Sequence, residues 1–278
     1  MQTPTYQEML DAGVHFGHLR KKWNPKMAPY IFGERKGIHI IDLYKTQEKL
    51  EESAAALRQV ARSGKKILFV ATKKQAKEIV ADAARRVSMP YVTERWLGGM
   101  MTNFATIRKS IKKMQSIEKM TTDGSFESIT KKERLMLMRE RNKLERVIGG
   151  IAQLNRLPAA LLIVDISHEH IALAEATKLN INTFGLVDTN SDPTKVDFAI
   201  PGNDDASKSV QLVMNYLTHA IIEGLEERKK QKAEVDAVAD REAMDDDAQA
   251  HADAERAGDE KPERGAAVAR VAQDDEEE

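Results

Sequence analysis

Two short, unbroken apolar runs, KILFVAT (Lys66–Thr72) and ALLIVDI (Ala160–Ile166), stand out along a largely polar chain. A uniform run of that length is the pattern of a strand buried on both faces of a parallel sheet. The first is followed at helical spacing by Ala76, Ile79, Val80, Ala83 and Val87, the second less regularly by Ile171, Ala172, Ala174 and Leu179. Upstream, GIHIID (Gly37–Asp42) reads as another strand, and Leu50, Ala54, Leu57 and Ala61 mark the buried stripe of its helix. Downstream, TFGLVD (Thr183–Asp188) and DFAI (Asp197–Ile200) read as strands before a last helix from about Ser207 to Lys230. Strand alternating with helix predicts an α/β fold: a three-layer, doubly wound parallel sheet of the flavodoxin or Rossmann kind, covered on both faces.

Two segments depart from this alternation. Near the start, Thr5 followed by Glu8 is a capping box for a short helix ending at Gly13. The second segment, 103–151, is too long and too polar for one crossover helix. Phe104, Ile107, Ile111 and Met114 keep three-four-three spacing, TTDGSFES is turn-like, and Thr130 with Glu133 opens a return helix whose buried side carries Leu137, Leu144, Ile148 and Ile151. The pattern predicts a protruding antiparallel coiled-coil helical hairpin, with arms of ~27 Å for about 18 residues. It carries 12 Lys/Arg against 6 Asp/Glu, a composition suited to lying along RNA or protein. The predicted organisation is therefore an N-terminal helix and basic extension (1–36), an α/β domain (37–102 and 152–232), the hairpin insertion (103–151) and an acidic tail (233–278).

Charge changes the picture once it is divided along the chain. The net charge is only −1, but 233–278 holds 17 acidic and 5 basic residues, leaving 38 basic against 27 acidic in the body. A basic body attracts polyanions, of which nucleic acid is the commonest in a cytosol. The tail has almost nothing to bury and is expected to be disordered. No apolar run approaches the ~18 residues needed to cross a bilayer, so a cytoplasmic protein without a membrane partner is expected. With no cysteine, disulfides and thiolate metal sites are excluded.

Catalytic motifs are hard to place. VATKKQAKE, the turn after the first buried strand, has neither Gly-rich nucleotide fingerprint. The Gly98-Gly99 pair in WLGGMMTNF leads into the hairpin and reads as a hinge or close backbone contact. SHEH (Ser167–His170) lacks metal-protease spacing and reads as a helix start. Asp188, Asp204 and Asp205 lie near strand ends where they can meet His15 or His18, a set able to hold Mg²⁺ or Zn²⁺. Turns and helix caps explain most of that segment, so no cofactor is expected. The alternative to a binding protein is a nucleotide-binding α/β enzyme with an atypical phosphate loop.

The N-terminal stretch HFGHLRKKWNPKM offers a clearer chemistry. Arg20, Lys21, Lys22 and Lys26 surround Trp23, and cations interleaved with an aromatic ring suit phosphate contact plus stacking. The plainer reading packs Trp23 on the sheet. Five long segments now carry a resemblance: GVHFGHLRKKWNPKMAPYIFGERKGIHIIDL, ILFVATKKQA, RWLGGMMTNFATIRKSI, LPAALLIVDISHEHIALAEATKLNI and GLVDTNSDPTKVDFAIPGNDDASKSVQL. In this order they resemble the bacterial ribosomal protein S2 family, over nearly the whole chain to about Lys230. The resemblance implies a non-enzymatic, structural protein of the small ribosomal subunit. It implies binding of ribosomal RNA near the head–body junction, late assembly, and contact with neighbouring ribosomal proteins, including a docking surface for ribosomal protein S1. Arg20, Lys21, Lys22, Trp23, Asn24 and Lys26 are the expected N-terminal RNA contacts. Lys73, Lys74, Arg95, Asn103, Arg108 and Lys109 follow by charge and position.

Overall fold

The computed structural model describes the backbone of residues 3–123 and 129–259, and side chains as far as 235. It divides into two units, Met1–Arg228 and Lys229–Glu278. In the first, the capping box is present: Thr5 accepts from the Glu8 backbone and Glu8 reaches back to Thr5 at the start of α1 (Tyr6–Asp11). Three short strands follow, β1 (Phe16–Leu19), β2 (Ile31–Arg35) and β3 (Ile38–Ile41), paired antiparallel in the order β1-β3-β2. The β2–β3 turn is Lys36-Gly37, both at positive φ. This is the two-residue hairpin turn whose left-handed backbone glycine supplies without strain.

GIHIID is therefore a strand, but it does not join the parallel sheet. Its burial alternates, with His39 and Ile41 buried and Ile38 and Ile40 half-buried. That is the mark of a strand with one covered face, unlike the fully buried run of the next strand.

The remaining elements of this unit build the main layers. They are α2 (Leu43–Arg62), β4 (Ile67–Val70), α3 (Lys77–Arg86), β5 (Tyr91–Val92), α4 (Phe104–Thr122), α5 (Lys131–Ile148), β6 (Ala160–Val164), α6 (His170–Lys178), β7 (Asn182–Val187), β8 (Phe198–Pro201) and the start of α7 (Ser207–Asp259). The five later strands are all parallel, in the order β5-β4-β6-β7-β8. Numbered from β4 this is the 2-1-3-4-5 order of flavodoxin-like sheets, and it reverses between β4 and β6. Alternate residues feed two cores. Ile67, Phe69, Leu162 and Phe184 face a cluster with Leu57, Val80 and Leu217, while Leu68, Val70, Leu161 and Ile163 face one with Ile107, Ile148 and Leu173. Each such side chain, once fully buried, contributes about 2–3 kcal/mol.

α4 and α5 pack together along Ile107, Ile111, Met114 and Leu144 and are tied by Arg141–Glu118 (3.3 Å) and Lys113–Glu140 ion pairs. The turn expected between them includes residues 124–128, which lie outside the described residues.

α7 runs to Asp259, where the sequence reading stops the helix near Lys230 and leaves the chain disordered from Ala233. Between 229 and 257 the chain has no glycine or proline and is rich in Ala and Asp. With many alanines and no helix breaker, the helix continues past Lys230. The expectation for 260–278 lies outside the described residues.

At Gly224 the α7 backbone meets α2: a Cβ there would lie 2.4 Å from the Arg58 carbonyl oxygen and 3.0 Å from Ala61 Cβ. Ala would gain about 1 kcal/mol of helix propensity, but forcing the helices apart costs about 1–3 kcal/mol. Gly224→Ala is expected to lower stability by up to about 2 kcal/mol in urea denaturation, the steric term outweighing propensity. A stabilised variant would refute the close contact.

Candidate functional site

The sheet's carboxyl edge, where an α/β fold of this order would hold a nucleotide, is filled by the protein's own charges. Lys73, just beyond β4, places Nζ 2.7 Å from Asp204, 2.6 Å from Asp205 and 3.3 Å from Asp165. Burial alone would lower the Lys73 pKa, but Asp204 and Asp205 outweigh it and drive it up. Asp204 is wholly buried and its Oδ2 has no hydrogen-bond partner. Its carboxyl is pushed up to about 7, first by burial and then by Asp165 and Asp188, against the pull of Lys73. Beside them, Glu169 accepts from the Thr72 backbone N–H (2.8 Å) and hydroxyl (2.5 Å).

The N-terminal ribbon is fastened onto this edge. His18 Nδ1 lies 3.0 Å from Asp188 and Nε2 3.4 Å from Asp205; the Asp188 contact foremost raises its pKa. Thr189 accepts from the His18 N–H through its hydroxyl and from the Asn24 N–H through its carbonyl, at 2.8 and 2.7 Å. Gly17 makes room: a Cβ there would sit 2.6 Å from Thr189 Cγ2. Lys26 pairs with Asp192 at 2.8 Å, an interaction that holds the Asp192 carboxyl down at about 2.

The basic stretch is thus a short, anchored turn. Arg20, Lys21 and Lys22 form one 3-10 turn with exposed side chains. Pro25 opens the next, capped by Asn24, whose side chain accepts from the Lys26 N–H. Trp23 lies against the His39 ring, 5.1 Å between centroids, and keeps 36% of its surface exposed. Arg20 leans on Glu34 at 3.3 Å.

Not every candidate sits here. Lys74, Arg95, Arg108 and Lys109 are exposed, the last two on α4. Asn103 is exposed as well, at the start of α4, where its side chain accepts from the Thr106 hydroxyl. Lys73 must be withdrawn as an RNA contact: three carboxylates surround its ammonium group and only 16% of its side chain is exposed. Asn24 and Lys26 act mainly on the fold of the turn.

Of the five metal candidates, His18, Asp188 and Asp204 each bring a ligand atom within 4.8 Å of the others. Imidazole and carboxylate suit zinc more than magnesium, and the partnerless Asp204 Oδ2 fits a cation. His15 lies outside this set; its ring is tilted against Phe16, 4.0 Å between centroids, and burial lowers its pKa. Asp205 is taken by Lys73 and His18.

A residue of the fold that sequence reasoning misses is Glu175 on α6. Its carboxylate accepts from Trp96 Nε1 (3.1 Å), the backbone N–H of Gly99 (2.7 Å), Met101 and Thr102 (2.9 Å each) and the Thr102 hydroxyl (3.1 Å). The Gly98-Gly99 turn does form an anion cradle, with Gly99 at φ +85°, but the anion is the protein's own. Nothing in WLGGMMTNF points to a residue more than seventy positions away.

The profile of the family described as Ribosomal protein S2 matches residues 9–224. Similar proteins include the small ribosomal subunit protein uS2 of Cytophaga hutchinsonii, 63% identical over 227 residues, covering 82% of this chain and 89% of the relative. That of Flavobacterium johnsoniae is 60% identical over 242 residues, covering 87% and 95%. That of Bacteroides thetaiotaomicron is 58% identical over 237 residues, covering 85% of each.

Proposed function

Because this chain belongs to the ribosomal protein S2 family, we propose that it is a structural component of the small ribosomal subunit that holds ribosomal RNA through its N-terminal turn. The observation that carries the reading is the Arg20–Lys22 turn beside Trp23: three exposed cations and a half-open indole on backbone fixed to Thr189. Such a surface neutralises phosphates and stacks on a sugar or base, recognising RNA by shape more than by sequence. On this reading the protein works at the head–body junction, joins late in assembly, and contacts neighbouring ribosomal proteins, S1 among them. It is cytoplasmic; among the described residues no helix is long and apolar enough to cross a membrane. α4 and α5 act as a coiled-coil arm presenting Arg108 and Lys109 to RNA, while Lys74 and Arg95 extend the basic surface.

A catalytic role is disfavoured because Lys73 and its carboxylates fill the edge where a nucleotide would be processed. A second reading concerns a cation: His18, Asp188 and Asp204 would hold zinc, with Lys73 turned away to relieve charge repulsion. Equilibrium dialysis of the intact chain against zinc and magnesium tests it.

The principal test follows the protein through a sucrose gradient of a low-salt lysate. Near-equal stoichiometry with small subunits, lost on a high-salt wash, is expected; migration only as free protein would sink the assignment. Replacing Arg20, Lys21 and Lys22 together by Ala is expected to weaken incorporation and reduce its salt slope by up to about three phosphate contacts. An unchanged slope would remove this turn from the RNA interface.

A further inference from the structure

A second feature lies at the opposite end of the sheet, before the strands begin, and neither the RNA-binding turn nor the carboxylate network uses it. A cavity of about 450 Å³ opens between Lys66, which immediately precedes β4, the Ser88–Tyr91 segment leading into β5, and Gly149–Gly150, where α5 returns to the domain. Its volume lies within the ~300–1,000 Å³ of small-molecule sites. Its lining carries two cations, Lys66 and Arg85, and no carboxylate.

The chemistry of the lining is specific. Arg85 lies over the Tyr91 ring, 5.5 Å from its centroid, with Nε 3.4 Å from the phenol oxygen. Its outer nitrogen pairs with Asp82 at 2.8 Å, on the exposed side. Lys66 donates to the Ser88 carbonyl at 3.0 Å and, among the described residues, has no carboxylate partner. Ser88, at φ +51°, is the left-handed residue that ends α3, with its N–H on the Arg85 carbonyl and the Met89 N–H on the Ala84 carbonyl, which turns the Ser88 carbonyl toward Lys66. Met89 and Leu154 supply apolar wall. Gly150 gives Tyr91 its place: a Cβ there would lie 2.2 Å from the Tyr91 carbonyl oxygen and 2.9 Å from its ring. A flat aromatic and apolar wall beside two cations, with the one acid paired to Arg85 lying outside the lining, is complementary to a planar ring that carries an anion.

We propose that this cavity at the root of the α4–α5 pair binds a single unstacked nucleotide, its base against Tyr91 and its phosphate against Lys66 and Arg85. The nucleotide comes either from an extruded position of an RNA strand or from the free pool, since stacking and phosphate pairing serve both. The site is one of recognition only; no nucleophile or base in its lining is placed for chemistry.

Isothermal titration of the full chain with each of the four nucleoside 5′-monophosphates, with the corresponding nucleosides, and with short single-stranded RNA tests the proposal. One saturable site is expected, with nucleosides weaker than monophosphates. The Lys66→Gln/Arg85→Gln double variant is expected to weaken it about tenfold or more, since charge-assisted bonds to phosphate are among the stronger polar contacts. Gly149→Leu leaves both cations in place. It is expected to block the site by bulk, because Gly149 has helical dihedrals (φ −57°, ψ −39°) and a Cβ there meets only Glu145 Cγ at 3.4 Å. RNA binding that is tighter than monophosphate binding and is weakened by Gly149→Leu, which leaves the Arg20–Lys22 turn untouched, identifies the extruded nucleotide; monophosphates binding as well as RNA identify the free one. Absence of binding at millimolar concentration, or binding unchanged in both variants while their circular dichroism matches the parent, overturns the proposal. Because the readout is the isolated protein, neither result depends on whether the chain sediments with small subunits.

Discussion

Glu175→Ala is expected to reduce the unfolding free energy by about 3–5 kcal/mol, because several donors bonded to one carboxylate are left without an acceptor at about 1–3 kcal/mol each. The carboxylate is 8% exposed and takes five donors from one loop. Without it the N–H groups of Met101 and Thr102 lose their acceptor, as does the indole of Trp96. Glu175→Gln keeps the shape but turns one end into an amide nitrogen that cannot accept, so about half of that loss is expected. The pH dependence has a definite sign. Burial would raise the Glu175 pKa, but the bonds from Thr102, Trp96, Met101 and Gly99 win and lower it below 4.5. A depressed carboxyl contributes stability above its unfolded pKa and loses it as pH falls through the folded value. Urea denaturation should therefore show the deficit of Glu175→Ala at neutral pH and a smaller one in acid. A deficit under about 1 kcal/mol at pH 7 would mean water replaces the carboxylate. Since this loop leads directly into α4, hydrogen exchange at Gly99 and Met101 should accelerate together with exchange in the first turn of α4.

How far the sequence revealed this molecule depends on the range of the interaction involved. The buried runs Ile67–Val70 and Ala160–Val164 declared themselves because a strand covered on both faces has no polar position to blur it. The capping box at Thr5 and the cap at Thr130 were legible because both partners lie within one turn. The hairpin turn at Lys36-Gly37 was not read from the sequence, because β2, IFGER, shows no apolar alternation that would mark it as a strand. β5 has only two residues and leaves no periodicity to read.

The candidate site divides along the same line. Exposure of Arg20, Lys21 and Lys22 follows from local polarity, and so does the cap at Asn24. Lys73 looked like its neighbour Lys74, and only the fold distinguishes them: the carboxylates that capture Lys73 come from β6 and from the loop before α7, 92 and more residues away. The same holds for Glu175 and its loop, and for Asp188 and His18. A buried ion pair cannot be read from one of its members, because whether a lysine meets solvent or an aspartate is decided by topology.

Lys73 is accordingly where substitution should expose the most charge. Lys73→Met keeps much of the aliphatic stem and removes the ammonium that lies among Asp165, Asp204 and Asp205; a loss of about 3–5 kcal/mol is expected at pH 8. Asp204 decides how that loss varies with pH. With Lys73 present its carboxyl already titrates at about 7 against an ordinary 3.8. A carboxyl whose folded pKa is raised binds its proton more tightly in the folded state, so it lowers stability progressively as pH rises from 3.8 to 7. Removing Lys73 takes away the nearest opposing charge and raises the folded value further. The gap between variant and parent should therefore widen from pH 6 to pH 8 and narrow in acid, where a protonated Asp204 needs no counter-charge. Lys73→Arg, which keeps the charge but not the compact head, should recover part of the stability. Urea titrations at pH 6 and 8 decide the matter: a deficit that does not grow with pH would mean that the carboxylates, and not Lys73, set the balance of this edge. Because His18 shares Asp188 and Asp205 with the same network, the Met variant should also loosen the N-terminal turn, lowering hydrogen-exchange protection at the His18 amide without touching any cation proposed to meet RNA.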